Sequence, residues 1–202
     1  MSPDWLKRRL TRNAASPGGV CRVRGDHDLN PGLRAREPLR RAAVLVALVA
    51  RPTEPCVLLI QRAPRMAEHP GEIGFPGGKV APEDVDTRAT ALREASEEVG
   101  LCTSRIDVLG QLDDQELRSG YLVTPVIGLI DAPLTLRLNR GEVADAFEIP
   151  LGFVLDRCNH RKQRRHDGQS EWLFYVMEYR QRTIWGATAN MLVDLCERIA
   201  DA

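Results

Sequence analysis

Two continuous apolar runs, separated by six residues, constrain the fold of this chain more than any other feature. Residues 42–49 read AAVLVALV and residues 56–60 read CVLLI, with Pro52 and Pro55 between them. Short apolar runs without polar alternation are typical of strands that are buried on both faces. Because the prolines mark a turn, we expect two paired interior strands.

Helical patterns accompany this pair of strands. Residues 87–99 predict a helix that ends at Gly100, and residues 187–199 predict an amphipathic helix with one apolar side. Further strands are expected at residues 106–112, 122–130 and 172–178, and a short helix is expected after Pro150. This mixture predicts the fold class α+β, with a sheet between helices.

The 202 residues favour one domain with an appendage. In this interpretation residues 1–40 are a basic N-terminal arm with one short helix at residues 4–11, and residues 41–202 are the domain. The longest apolar run is far shorter than the roughly 20 residues that cross a bilayer, and the first residues lack an apolar signal-peptide core. We therefore expect a cytoplasmic protein without a membrane partner.

The net charge of zero conceals a separation of charge along the chain. Residues 1–41 contain nine Arg and one Lys against four acidic residues, whereas residues 83–116 contain ten acidic residues and three Arg. The basic block at residues 157–166 predicts a solvated hairpin, with contact to substrate phosphates as the alternative. Since aromatic interleaving is absent from the arm, no nucleic-acid partner is expected. For the arm the sequence favours a solvated extension without a specific partner, and contact with an anionic substrate or with a second copy in a homodimer stays an open alternative.

Three glutamates carry the clearest chemical signal. Glu94, Glu97 and Glu98 stand at positions i, i+3 and i+4 of the predicted helix, so they share one face. Like charges at this spacing repel by about 0.2–0.5 kcal/mol per pair, and a divalent cation would remove that cost. Hard cations such as Mg2+ prefer carboxylate oxygens. The alternative is an ordinary solvated acidic face.

The surroundings of these glutamates resemble a known motif. Residues 78–84 read GKVAPED and residues 93–101 read REASEEVGL, and together they closely resemble the Nudix box. This box is the metal-binding loop–helix–loop of hydrolases that act on a nucleoside diphosphate linked to another moiety. The chain departs from the pattern at Asp84, where glutamate is usual, and by one added residue before Arg93. The resemblance implies the Nudix fold, a mixed β-sheet sandwiched between α-helices, and Mg2+ or Mn2+ as cofactor.

A second resemblance narrows the substrate. Residues 58–63 read LLIQRA and residues 71–78 read GEIGFPGG, similar to the extra signature of coenzyme A pyrophosphatases, although Ala67 replaces a larger residue. Residues 183–189, TIWGATA, resemble the start of the last helix in that subfamily. The resemblance implies a small-molecule nucleotide substrate of the coenzyme A type. Cleavage of coenzyme A or acyl-coenzyme A would give adenosine 3′,5′-bisphosphate and (acyl-)4′-phosphopantetheine.

The same resemblance implies roles for the acidic residues. Glu97 and Glu98 would be metal ligands, while Glu94 would be a ligand or the base that orients the water, a division on which family members differ. Arg93 would hold the helix against the loop. Nudix enzymes often take another carboxylate from a distant loop, and Glu142 is the favoured candidate. A capping role for Glu142 is its alternative, and Asp114 and Glu116 are further candidates for the carboxylate.

Four residues are candidates for substrate binding. Arg62 and Arg65 are expected to grip a phosphate, because guanidinium forks match phosphate geometry. Gly77 and Gly78 would let the loop fold tightly against the helix and approach the substrate.

Two other functions stay open on the sequence alone. One is a Nudix pyrophosphatase for another nucleoside diphosphate derivative, such as ADP-ribose or a dinucleotide. The other is a non-catalytic Nudix module that binds a nucleotide. The intact glutamates argue against the second, because a binding module does not need a repulsive cluster.

Overall fold

The structure is a computed structural model, and it describes residues 2–12, 22–166 and 171–200. Its elements in chain order are α1 (Pro3–Arg12), β1 (Val23–Gly25), α2 (Asp26–Leu29), β2 (Arg40–Ala50), β3 (Cys56–Arg62), β4 (Ile73–Gly74), β5 (Gly77–Lys79), α3 (Thr87–Val99), β6 (Ile106–Gln111), β7 (Asp114–Leu117), β8 (Tyr121–Asp131), β9 (Val143–Pro150), α4 (Leu151–Leu155), β10 (Arg161–His166), β11 (Glu171–Tyr179), β12 (Arg182–Trp185) and α5 (Gly186–Ala200). No helix among the described residues is long and apolar enough to cross a bilayer.

The two apolar runs form the centre of a mixed sheet, as the sequence predicts. Strand β2 pairs antiparallel with β3, with Leu48 opposite Val57. Along its other edge β2 pairs in parallel with β8 over its whole length. Strand β9 lies antiparallel to β3, while β5 crosses over to pair with β2. Both runs are therefore interior strands.

Alternation along β2 divides the core into two layers. Ala43, Leu45 and Ala47 pack with helix α3 in one cluster, while Val46 and Leu48 pack with α5 in the other. The sheet is therefore covered by a helix on each face, which confirms the predicted α+β class with a sheet between helices.

Most of the predicted elements are confirmed. Helix α3 begins after Asp86, whose carboxylate accepts a hydrogen bond from Ala89 N at 2.7 Å, and it ends at Gly100 with φ of 70°. The three further strands, the short helix after Pro150 and the C-terminal helix all form. The basic block forms the exposed strand β10, paired with β11 as a hairpin. The sequence did not predict strand β9, although it forms seven cross-strand pairs with β3.

The described part of residues 1–40 packs against the rest of the chain, so the expectation of a solvated extension is wrong for this part. Helix α1 forms as predicted, and its Leu6 and Leu10 are 0% and 2% exposed in the cluster that contains α5. Strand β1 pairs in parallel with β7. Met1 and residues 13–21 lie outside the described residues. The boundary at residue 40 stays a prediction, but α1 contributes to the core on its side of the sheet.

The burial of α1 can be tested by truncating one leucine. We expect Leu6→Ala to lower the free energy of unfolding by about 2–5 kcal/mol, because it opens a cavity in a closed core. The matched control is Arg8→Ala on the exposed side of the same helix, which should change stability by no more than about 0.5 kcal/mol. Urea unfolding followed by circular dichroism measures both. Equal stability of the two variants would contradict the packing of α1 in the core.

Candidate active site

Helix α3 is anchored by its apolar side, which fixes where its glutamates lie. Ala91, Ala95 and Val99 are fully buried against the sheet. Glu98 lies at the edge of that face and is only 3% exposed. Its Oε2 accepts a hydrogen bond from Gly77 N at 2.9 Å, so the carboxylate is fixed between the helix and strand β5.

Two glycines permit tight packing of strand β5 against its neighbours. A Cβ at Gly77 would lie 2.5 Å from the carbonyl oxygen of Ala43 on β2, and a Cβ at Gly78 would lie 2.5 Å from the carboxyl group of Glu94. A side chain at Gly77 would therefore push β5 away from the backbone of β2, and one at Gly78 would displace the carboxylate of Glu94. The tight loop expected from the sequence is thus present, while a contact of these glycines with substrate stays a prediction.

Burial dominates the electrostatics of the cluster. It raises the pKa of Glu98 to about 7, and the nearby charges of Glu94 and Glu142 raise it further, while the Gly77 N–H and the charge of Arg62 oppose the shift. Burial also raises the pKa of Glu94, against the hydrogen bond and charge of Arg93. Glu142 and Arg62 are thus near enough to Glu98 to act on it electrostatically.

Arg93 ties the helix to the preceding loop, as the sequence predicts. Its Nε and Nη2 donate to the two carboxylate oxygens of Asp84 at 3.0 and 2.9 Å, a bidentate pair. Its Nη1 donates to Glu94 at 2.9 Å and to Glu97 at 3.1 Å. The hydrogen bonds from Arg93, above all, hold the pKa of Asp84 well below its usual range. Asp84, where the Nudix pattern has glutamate, is a loop anchor here.

The other predicted residues make different contacts in the structure. Arg62 Nε donates to the carbonyl oxygen of Glu68 at 3.2 Å. The guanidinium of Arg65 donates to the carbonyl oxygens of Arg140 and Gly141, next to Glu142. Asp114 accepts a hydrogen bond from Thr124 on β8 at 2.7 Å, within the sheet. Glu116 lies on β7, where it pairs with β1 and β8.

Sequence reasoning missed Asn139, which shapes the loop before Glu142. Its backbone N donates to the carbonyl oxygen of Glu98 at 2.8 Å, and its Oδ1 accepts from Gly141 N at 3.0 Å. The signal was present in the sequence, since Asn and Gly two residues apart are typical of a turn in which the side chain binds its own backbone.

The carboxylates share a face but do not converge on one point. Within residues 2–12, 22–166 and 171–200, no three His, Cys, Asp or Glu side chains are grouped closely enough to hold a metal ion. Glu94 and Glu97 are both bonded to Arg93, so a cation at this face would compete with that guanidinium. The donor set nevertheless suits a hard cation, because it consists of carboxylate oxygens, and burial disfavours the negative charge of Glu94 and Glu98.

A groove of about 820 Å3 lies on the face of strand β3 that is turned away from helix α3. Gln61 lines it and, by strand alternation, faces away from Ile60, which packs with helix α3. Gly71 and Ile73, both within the segment 71–78 that resembles the coenzyme A signature, and Trp185 of β12 also line it. The groove thus joins two segments that resemble the coenzyme A subfamily, but it does not open directly on the glutamates.

Comparison with known proteins gives one consistent family. A family model described as the NUDIX domain matches residues 39–166. The chain is 40% identical over 161 residues to the uncharacterized Nudix hydrolase NudL of Yersinia pestis (strain Pestoides F), a match that covers 80% of each chain. NudL of Yersinia pseudotuberculosis (serotype O:1b, strain IP 31758) gives the same values.

A solved structure supports the fold alone. The MutT/nudix family protein from Enterococcus faecalis matches with a TM-score of 0.50 at 18% identity, over 100% of this chain and 75% of that chain. The agreement concerns the arrangement of sheet and helices.

The burial of Glu98 predicts a pH-dependent stability in the absence of metal. A carboxyl group with a raised pKa binds more protons in the folded than in the unfolded state, so stability falls as pH rises from its usual 4.5 to about 7. Glu98→Gln removes the ionisable carboxyl group and therefore this loss of stability. In a chelator, the variant should therefore gain about 3 kcal/mol relative to wild type between about pH 4 and about pH 8.

The control for this experiment is Glu97→Gln, one residue earlier and with a side chain 55% exposed. Its stability should follow wild type across the same range, measured by urea unfolding at each pH. Parallel profiles for wild type and Glu98→Gln would show that Glu98 titrates normally.

Proposed function

The chain belongs to the Nudix family, and from this premise we propose that it is a metal-dependent hydrolase of coenzyme A or acyl-coenzyme A. The reaction cleaves the diphosphate and yields adenosine 3′,5′-bisphosphate and (acyl-)4′-phosphopantetheine. The broader activity, shared by the family, is hydrolysis of a nucleoside diphosphate linked to another group. The coenzyme A specificity is the narrower part of the proposal.

One observation carries the hydrolytic part. Glu98 is a buried carboxylate held by Gly77 N–H, and Glu94, Glu142 and Arg62 are near enough to shift its pKa. A structural protein gains nothing from several carboxylates that repel each other at the edge of the core. A site that binds a divalent cation and a diphosphate gains from them, because the carboxylates bind the cation and the arginine binds the anionic substrate.

Glu94, Glu97 and Glu98 would hold Mg2+ or Mn2+, in exchange for the present contacts of Arg93 with Glu94 and Glu97. When bound, such ions withdraw charge from the diphosphate oxygens and acidify a coordinated water. The family precedent leaves Glu94 as ligand or base. Glu142, from the opposite loop, is the second candidate for accepting the proton of the attacking water.

The remaining side chains orient the substrate. In the reaction the water oxygen forms a bond to one phosphorus, the bridging P–O bond breaks, and the water proton passes to a carboxylate. Arg62, on the same side as Glu98, would bind a phosphate oxygen. Arg93 stays bonded to Asp84 and fixes the helix, so that the carboxylates keep their positions.

The position of the signature loop supports a substrate with a large group beyond the diphosphate. This loop, residues 63–72, begins directly after Arg62 at the end of β3. Glu68 anchors it, since its carboxylate accepts from Tyr121 Oη at 3.2 Å and pairs with Lys79 at 3.5 Å. A loop fixed between Arg62 and the glycines of β5 is well placed to contact the group on the far side of the diphosphate and so to select the substrate.

The substrate proposal predicts the outcome of a panel assay. With Mg2+ or Mn2+, we expect coenzyme A or an acyl-coenzyme A to give the highest kcat/KM among coenzyme A, acyl-coenzyme A, ADP-ribose, NADH and nucleoside triphosphates. Product masses should correspond to adenosine 3′,5′-bisphosphate and 4′-phosphopantetheine. A much higher kcat/KM for ADP-ribose or a dinucleotide than for coenzyme A would contradict the coenzyme A specificity, while the wider proposal of diphosphate hydrolysis would stand.

The metal proposal predicts the effect of one conservative substitution. We expect Glu97→Gln to lower kcat by at least about 100-fold, because a direct ligand should matter no less than the outer partners of metal ligands, whose loss costs about 10–100-fold. Glu83→Gln is the control, an exposed acid in the preceding loop, and it should retain wild-type turnover. Unchanged turnover in Glu97→Gln would show that Glu97 is not a metal ligand.

A further inference from the structure

We propose that Arg65 is a positioning residue, which fixes the loop of residues 139–142 and so holds Glu142 in its position relative to helix α3. This inference rests on the proposed function for its catalytic consequence. It replaces the role expected for Arg65 from the sequence, which was to grip a substrate phosphate.

The contacts of Arg65 are directed at the backbone next to Glu142. Its Nη2 donates to the carbonyl oxygen of Arg140 at 2.6 Å, and its Nε donates to that of Gly141 at 3.3 Å. Ala63 N donates to the carbonyl oxygen of Glu142 itself at 2.7 Å. Three consecutive carbonyl groups, those of residues 140–142, are thus bonded to residues 63–65 of the signature loop.

The other end of the same loop is bonded to helix α3. Asn139 N donates to the carbonyl oxygen of Glu98 at 2.8 Å, and Arg137 N donates to that of Val99 at 2.9 Å. The segment 137–142 therefore spans from the end of the metal-site helix to the signature loop. At the signature-loop end it is held by Ala63 N and by the side chain of Arg65, and we assign to the Arg65 side chain a part in fixing the position of Glu142 relative to the helix.

The geometry of the guanidinium explains why arginine suits this role. A planar fork with fixed N–H directions can donate to two neighbouring carbonyl oxygens at once, which a lysine ammonium on a flexible chain does less well. These two bonds use two of the five N–H donors of the guanidinium, and both are directed at the backbone of the 139–142 loop. Arg62 differs, because its Nε is bonded to the carbonyl oxygen of Glu68 and its charge already acts on Glu98.

A double-mutant cycle separates the two roles. We expect Arg65→Ala to lower kcat for coenzyme A about tenfold with KM within about twofold, a size typical for loss of an outer positioning contact. In the Glu142→Gln background the same substitution should have almost no further effect on kcat, because it acts through Glu142. A raised KM with unchanged kcat, or additive effects in the double variant, would assign Arg65 to substrate binding instead.

Two readouts do not depend on turnover. Mn2+ binding to the substrate-free protein, followed by electron paramagnetic resonance, should weaken several-fold in Arg65→Ala. Hydrogen–deuterium exchange should speed up at the amides of residues 139–143 in the same variant. A substrate-binding arginine would change neither. Unchanged exchange in this loop would overturn the proposal.

Matched variants keep the test decisive. Arg161→Ala removes the same charge from the exposed strand β10 and should alter none of these measurements. Arg65→Lys keeps the charge but loses the fork, so it should lie between Arg65→Ala and wild type, and it provides a second variant if Arg65→Ala folds poorly. Full activity of Arg65→Lys together with fast loop exchange would show that charge alone suffices, against positioning.

Failure of the proposed function gives a different pattern. If coenzyme A is not cleaved but exchange at residues 139–143 depends on Arg65, the positioning role stands and the substrate is wrong. If coenzyme A is cleaved and Arg65→Ala behaves as wild type throughout, the function stands and the positioning role is wrong.

Discussion

The carboxylate of Glu98 is buried between helix α3 and strand β5, where its bond to Gly77 N links the helix to the sheet. The main-chain carbonyl of the same residue accepts from Asn139, so the loop before Glu142 is attached to the same point. A buried charge is costly unless its partners are fixed. Strand β5, the end of α3 and the 137–142 loop are therefore joined at one residue, Glu98.

The sequence predicts those parts of the fold that depend on local patterns. The apolar runs of β2 and β3, the Asp86 and Gly100 ends of α3 and the shared face of its glutamates all follow from spacing and residue type. Strand β9 was missed because a charged, partly exposed stretch carries little periodicity, and its pairing with β3 is a long-range contact. The resemblance to the Nudix box identified the site, but it did not place Glu142 beside the helix.

The roles of the arginines also depend on the tertiary fold and do not follow from the sequence. From composition, Arg65 and Arg62 look alike, yet one is bonded to two carbonyl groups and the other acts on Glu98. The basic block at the N-terminus is also partly used inside the fold, since Arg24 pairs with Asp194 at 3.0 Å and Glu197 at 2.7 Å. Charge separated along a chain does not remain separated in space, because the partners of a long side chain are fixed only by the tertiary fold.

The parallel pairing of β2 with β8 also bears on how the molecule assembles. Arg40 lies opposite Tyr121 and Ala50 opposite Asp131, so this ladder closes a loop of about 80 residues, an entropic cost that must be met before its contacts form. The β2–β3 hairpin needs only a short turn and can form first, with its outer edge unpaired. Until β8 has been synthesised, the most apolar strand of the protein therefore presents an open edge, and the growing chain is most exposed to aggregation during that interval.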